Sequence, residues 1–383
     1  MIWCELFAGS AAITYALHGV QPPISYQGSK WGYRKAIMQL LGLEGVRPSG
    51  VVLGEIGPMA AVHACLLGAK GVNAEEVARL VYCSMLSFLK DAECRTYSVI
   101  AGEGLERGPN GEGFAWSAVT PERFSERILG TNSISSTSRA HEVAEVIRSW
   151  VGREPKALWK ELKEKGWASL FSKEGRWLHS SEVAPEDVAA LLWCTASSFC
   201  HTGNSYCGEY RLMTEHSMKF LGAKTCERYA KEYGSIDGRP LSPQGCSRPE
   251  VAAKVDAVGT NLVPPPFQAV WQGPIQGVQL PPSLEDWIIY LDPPYYGDGT
   301  RKITGYPYGT CLREDVLRLA LEWSQRGALV AISECVPLPL DGWHHVDITS
   351  ERRSMKRTFS TQQAEWITMN RPPRQKPQLT LFP

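Results

Sequence analysis

The sequence has no excess of charge: 40 Lys and Arg stand against 40 Asp and Glu in 383 residues. That balance excludes a polybasic nucleic-acid coat, though not a local basic surface. No stretch of 18 apolar residues occurs, so no membrane span is expected. The apolar stretch 2–20 carries Glu5 and has no basic segment before it, which argues against a secretory signal. The eleven cysteines are odd in number and scattered from Cys4 to Cys335. That reads as a reduced, cytoplasmic chain rather than a disulfide scaffold. Cys194, Cys200, His201 and Cys207 lack the Cys-x-x-Cys spacing, so no metal site is expected. The Gly-rich stretch 102–113 lacks Gly-Lys-Ser/Thr and reads as a loop, not a phosphate cradle. No internal repeat is present. What is there is ordinary for a folded chain, 43% hydrophobic and 21% charged. The length suggests about two to three structural units.

Periodicity organises the two ends of the chain and not the middle. Strands are expected over Met1–Leu6, Gly50–Leu53, Phe267–Trp271, Trp287–Leu291, Ala328–Ser333, Trp343–Thr349 and Glu365–Met369. Helices are expected over Ala11–Leu17, from Met59 onward, over 75–90, over 140–165 and over 313–326, with another burying Tyr33, Ile37, Leu40 and Leu41. His344 and His345 sit in a strand, which predicts one buried and one exposed ring. The span from about 100 to 250 is irregular and helix-rich. Strands alternating with helices at both ends predict one mostly parallel α/β sheet, split by an insertion.

The richest motif is Asp292-Pro293-Pro294-Tyr295 after the apolar run Trp287–Leu291. Ligands of open α/β sheets bind at strand C-termini. Two prolines stiffen the chain and remove N–H donors, leaving the Pro293 carbonyl to accept. Asp292 supplies a second acceptor, and Tyr295 a flat ring. Together they suit an exocyclic amine on a planar base drawn out of its stack. The plain alternative is a proline-rich turn with Asp as a turn former.

With these residues in view, the chain resembles the DNA adenine-N6 methyltransferases of the Dam-like group, which use S-adenosylmethionine. Cys4-Glu5-Leu6-Phe7-Ala8-Gly9-Ser10-Ala11-Ala12 is similar to the family's Phe-x-Gly cofactor motif. Ser25-Tyr26-Gln27-Gly28-Ser29-Lys30 is similar to its Tyr/Trp–Gly–Lys turn. Ala328–Ser333, Arg352–Met355 and Ala364–Ile367 resemble later motifs around the base pocket. The likeness covers about half of the chain, at its two ends. Two features depart from the pattern. The Phe-x-Gly motif precedes the Tyr–Gly–Lys turn instead of following it, and Ala11 stands at the second glycine.

The resemblance implies a class I methyltransferase sheet, Rossmann-like, seven-stranded and with an antiparallel last strand. Residues 1–99 and 256–370 would form the catalytic domain, 100–255 a mostly helical target-recognition insert, and 371–383 a flexible tail. Phe7, Ala8, Gly9, Ser10, Tyr26 and Lys30 would line S-adenosylmethionine. Glu55, at the end of the second strand, would hold its ribose, as acids do in Rossmann-like sites; its plainer reading is a neighbour of a helix N-terminus. The turn Gly54-Glu55-Ile56-Gly57-Pro58 competes as the cofactor turn. Lys30 would reach the cofactor carboxylate or a phosphate; otherwise it is a solvated lysine.

Arg352, Arg353, Lys356 and Arg357 form a basic loop between the last two strands. A charge run is commonly a solvated face; beside a base pocket it suits DNA phosphates. Phe359 could stack near a displaced base. The tail ends Gln378-Leu379-Thr380-Leu381-Phe382-Pro383, which resembles the Gln-Leu-x-Leu-Phe peptide that binds the bacterial sliding clamp through Gln378, Leu379, Leu381 and Phe382. The alternative is a tail folded back on its own domain. The expected activity is methyl transfer to adenine N6 in double-stranded DNA, in a prokaryotic cytoplasm, with a phage or mobile element among the sources. Cytosine N4 or RNA as substrate remains open, as does a catalytically silent protein that binds DNA and the clamp.

Overall fold

The computed structural model describes residues 1–24, 29–71, 138–150, 152–166, 170, 175–196, 248–262, 265, 267–295, 311–352 and 364–373. Tyr26, Arg353, Lys356, Arg357, Phe359 and the Gln378–Pro383 tail lie outside the described residues, as do the 75–90 helix, the 102–113 loop, Cys200, His201 and Cys207.

The long apolar runs become strands buried on both faces, as parallel strands under helices must be. These are β1 (Ile2–Leu6), β2 (Gly50–Glu55), β4 (Phe267–Gln272), β5 (Trp287–Leu291) and β6 (Leu329–Glu334). Three shorter strands complete the sheet: β3 (Arg176–Leu178), β7 (His344–Asp347) and β8 (Trp366–Met369). The order is β3-β4-β2-β1-β5-β6-β8-β7. The five long strands are mutually parallel. At the edges, β3 is antiparallel to β4, and β8 runs antiparallel to both β6 and β7. The protein is thus an α/β protein with an eight-stranded, mostly parallel mixed sheet, compatible with a Rossmann-like fold.

Period-two alternation sends successive side chains to opposite faces. Ile2, Cys4, Leu6, Trp287, Ile289 and Leu291 face one core, with Val316, Leu319, Ala320 and Trp323 of a helix over Arg313–Gln325. Trp3, Val51, Leu53, Ile288 and Tyr290 face the other. Among the described residues, seven helices lie on that second face or above it: α1 (Ala12–Leu17), α2 (Arg34–Leu41), α3 (Met59–Leu67), α4 (Ala140–Ser149), α5 (Pro155–Lys165), α6 (Pro185–Ala196) and α7 (Arg248–Asn261). The Arg313–Gln325 helix is α8. Every residue of α3 is buried. A helix apolar all round must be enclosed, and α3 is, between the sheet and helices α4, α6 and α7. The described parts of the 100–255 stretch therefore share the sheet's core, and β3 extends the sheet itself.

Two local expectations are corrected. The helix foreseen over 140–165 is two helices, α4 and α5. Gly152 between them has φ +90, outside the helical region. Pro155 opens α5, and it disfavours helical geometry in the residue before it. His344 and His345 are both exposed, because β7 is the edge of the described sheet and only Val346 along it packs against the core. Among the described residues, no helix is long and apolar enough to cross a membrane.

Candidate active site

The site forms where three parallel strands end together. Leu6 pairs with Leu291 on one side and with Gly54 on the other. The Asp292 N–H donates to the Leu6 carbonyl (3.2 Å), and the Ala8 N–H to the Gly54 carbonyl (3.0 Å). The Phe7–Ala11 turn and the Asp292–Tyr295 turn thus leave the sheet side by side. Of the two competing glycine turns, the one at Gly9 is next to Asp292; the one after Gly54 lies a strand further away.

The Phe7–Ala11 turn is strained. Phe7 (φ 57) and Ala11 (φ 48) are the non-glycine residues with positive φ among those described, and Gly9 (φ 49) sits between them. Each left-handed L-residue costs about 1–2 kcal/mol. Surrounding groups hold the turn at Gly9. Its N–H donates to Glu55 Oε2 (2.8 Å), and its carbonyl accepts from His63 Nε2 (2.9 Å). With Nε2 the donor, Nδ1 of His63 accepts from the Tyr15 hydroxyl (3.3 Å). Burial lowers His63 to about 4, so the ring is neutral near pH 7. The second oxygen of Glu55 accepts from the Gly57 N–H (2.8 Å). Glu55, expected at a ribose, therefore braces two backbone turns through both oxygens. Burial raises its pKa, and those backbone bonds oppose the shift.

Lys30 opens a 3-10 turn, Lys30–Tyr33, and is 5% exposed. Its Nζ lies 2.7 Å from Asp292 Oδ1, 3.8 Å from Glu365 Oε1 and 4.7 Å from the centre of the Tyr295 ring. The lysine expected at a cofactor carboxylate or phosphate is paired with the motif acid instead. The Tyr295 hydroxyl donates to Glu365 Oε1 (2.5 Å). The Ser10 hydroxyl donates to Ser29 Oγ (2.7 Å), tying the strained turn to the one that carries Lys30. Pro293 is buried and Pro294 half-buried. Phe7 packs against the α8-side core, and Ala8 is buried. Arg352 stacks over Tyr33 at 5.8 Å, which brings the start of the basic loop beside the Lys30 turn.

Several residues here were not on the expected site. Glu5 is 2% exposed and accepts from the Thr14 N–H (2.8 Å) and hydroxyl (2.5 Å); Thr14 Oγ1 also accepts from Trp3 Nε1 (2.9 Å). Burial lifts Glu5 to about 7, against the Thr14 bonds and helped by Asp292. Asp292 also stands near 7: burial raises it, Lys30 opposes, and Glu365 and Glu334 add to the rise. Glu334 and Glu365 are each 1% exposed. The signal for these residues was in the sequence: a Glu inside the apolar run Ile2–Leu6, and His63 inside the apolar helix Met59–Leu67. Buried polar groups are rare and need a partner or a task.

Four buried or nearly buried acids, Glu5, Asp292, Glu334 and Glu365, interact through Asp292, and one ammonium, Lys30, lies against Asp292 and Glu365. Such a surplus of acid favours a cationic ligand. Among the described residues, no three His, Cys, Asp or Glu side chains form a metal-binding group. A groove of about 450 Å³ lined by Trp31, Arg34, Lys35 and Glu44 opens nearby, but no residue of the cluster lines it. Comparison with protein-family models gives no match, and comparison with curated protein sequences gives no significant match.

Proposed function

We propose that the chain transfers a methyl group from S-adenosylmethionine to the exocyclic amine of a planar base, with adenine N6 in double-stranded DNA as the substrate. The observation that carries this reading is the seat of the Lys30 ammonium, 2.7 Å from Asp292 and over the Tyr295 ring. A nitrogen is already held by a carboxylate beside an aromatic ring, which is what a base amine requires. The antiparallel run of β8, the last described strand, supports the finer reading of the sheet as a class I methyltransferase fold.

The residues suit the cofactor. When bound, S-adenosylmethionine supplies an activated methyl group on a sulfonium. The carboxylate surplus favours that cation and its ammonium. The Phe7–Ser10 turn, beside Asp292, would hold it. Glu55 accepts three backbone N–H bonds, and its two oxygens together have one acceptor site more, for a ribose hydroxyl. Asp292 and the Pro293 carbonyl accept the two amine N–H bonds, which localises the nitrogen lone pair for attack. Asp292, standing near 7, can take the proton the amine loses at neutral pH. Tyr295 stacks on the extruded base. Positioning supplies most of the acceleration. Arg352 and the basic loop beyond it meet backbone phosphates, and the Gln378–Phe382 peptide binds a sliding clamp in a prokaryotic cytoplasm.

Asp292→Ala is expected to abolish transfer of tritiated methyl to DNA while calorimetry still records S-adenosylmethionine binding. Methylation retained by that variant would sink the mechanism. Mass spectrometry of nucleosides from an expressing host separates N6-methyladenine from N4-methylcytosine and from modified RNA. Absence of heat with S-adenosylmethionine would favour a silent DNA-binding protein instead.

A further inference from the structure

Glu365 stands at the entry to β8 and is 1% exposed. Its backbone is pinned, because its N–H donates to Thr349 Oγ1 (2.8 Å) and its carbonyl accepts from the Ile348 N–H (2.9 Å). Its Oε1 holds the Tyr295 hydroxyl and lies 3.8 Å from Lys30 Nζ, which is closer to Asp292 at 2.7 Å. Lys30 thus sits between two carboxylates, hydrogen-bonded to one and within ion-pair reach of the other.

A substrate amine would take the seat that the Lys30 ammonium occupies, beside Asp292 Oδ1 and over the Tyr295 ring, so Lys30 must move. A buried ammonium stripped of its counter-ion is strongly disfavoured, so Lys30 needs a second partner close at hand. Among the described acids, Glu365 is the one besides Asp292 within ion-pair reach of Lys30 Nζ. Closing the 3.8 Å gap to hydrogen-bond length takes a shift of about 1 Å. Resting on the amine-transfer reading above, we propose that Glu365 is a positioning residue that receives the Lys30 ammonium when the base amine claims Asp292, while holding the Tyr295 ring in place. The incoming base is neutral and Lys30 stays within the site, so base entry leaves the charge of the site unchanged.

The test uses the full chain, unmethylated plasmid DNA and tritiated S-adenosylmethionine. Glu365→Gln keeps an acceptor for Tyr295 and removes the charge that attracts Lys30. It is expected to raise KM for DNA about tenfold, a size ordinary for contacting residues, with S-adenosylmethionine affinity and thermal midpoint unchanged. In a Lys30→Met background, where no ammonium blocks Asp292, the same substitution is expected to add nothing. If Glu365→Gln does not fold, a crystal structure of the wild-type chain with DNA and S-adenosylhomocysteine carries the test, and is expected to show Lys30 Nζ at hydrogen-bond distance from Glu365. An unchanged KM in Glu365→Gln, effects that multiply in the double variant, or Lys30 still on Asp292 with the base in place overturns the inference. Wild-type protein that transfers no methyl group overturns the amine-transfer reading and this inference with it. Wild-type transfer with any of the other three results overturns this inference alone.

Discussion

Glu5 offers the sharpest test of the buried acid cluster. Its folded pKa stands near 7 against 4.5 for a free glutamate. A group raised on folding binds its proton more tightly in the native state. The stability it contributes is therefore fully present below pH 4.5 and is lost as pH rises through 7. The difference of about 2.5 pKa units corresponds to roughly 3 kcal/mol. Glu5→Gln keeps an oxygen to accept from Thr14 and cannot ionise. Relative to wild type it is expected to gain stability with rising pH, by up to about 3 kcal/mol at pH 8. His63, lowered to about 4, pulls the other way: its contribution is present above pH 6.5 and is lost as pH falls toward 4. Both proteins carry His63, so that trend cancels in the difference. Urea denaturation at pH 4, 5, 6, 7 and 8, compared between the two proteins, reads the effect as a changing midpoint at constant slope. A difference that does not vary between pH 5 and 8, or a variant less stable than wild type at pH 8, would refute the reasoning.

Lys30→Met removes the charge that opposes the rise of Asp292 and is expected to leave that carboxyl protonated at neutral pH; an Asp292 titration by NMR that does not move upward would refute the pairing. Ala11→Val forces a branched side chain into the left-handed region at φ 48 and is expected to destabilise by about 2 kcal/mol or more, seen as a lower thermal midpoint. Ala11→Gly should stay within about 1 kcal/mol of wild type, since relief of strain offsets the lost methyl. Deleting Gln378–Pro383 is expected to abolish retention on immobilised bacterial sliding clamp and to leave methylation in vitro unchanged; clamp binding by the shortened chain would refute that assignment.

Local signals were readable where local physics governs. The Trp287–Leu291 run is a strand over those same residues, and α8 ends one residue before its expected limit. Burial on both faces needs continuous apolar residues, and that is a property of short segments. The edge strand was harder. Alternation in Trp343–Thr349 predicted one buried histidine, but burial depends on what lies against a strand, and the core reaches β7 only at Val346. The helix break at Gly152 was signalled by glycine and proline, and the apolar period on both sides hid it.

Taken alone, the sequence determined the central strands, the acceptor motif Asp292–Tyr295 and the glycine turn at Gly9, because each depends on a few neighbouring residues. Only the tertiary structure decided which glycine turn meets Asp292, since the order of parallel strands is set by long-range pairing. It also decided what Lys30 does. Lys30, the Asp292–Tyr295 motif and Glu365 share no local pattern, and Coulomb attraction in a buried site acts across space whatever their separation along the chain.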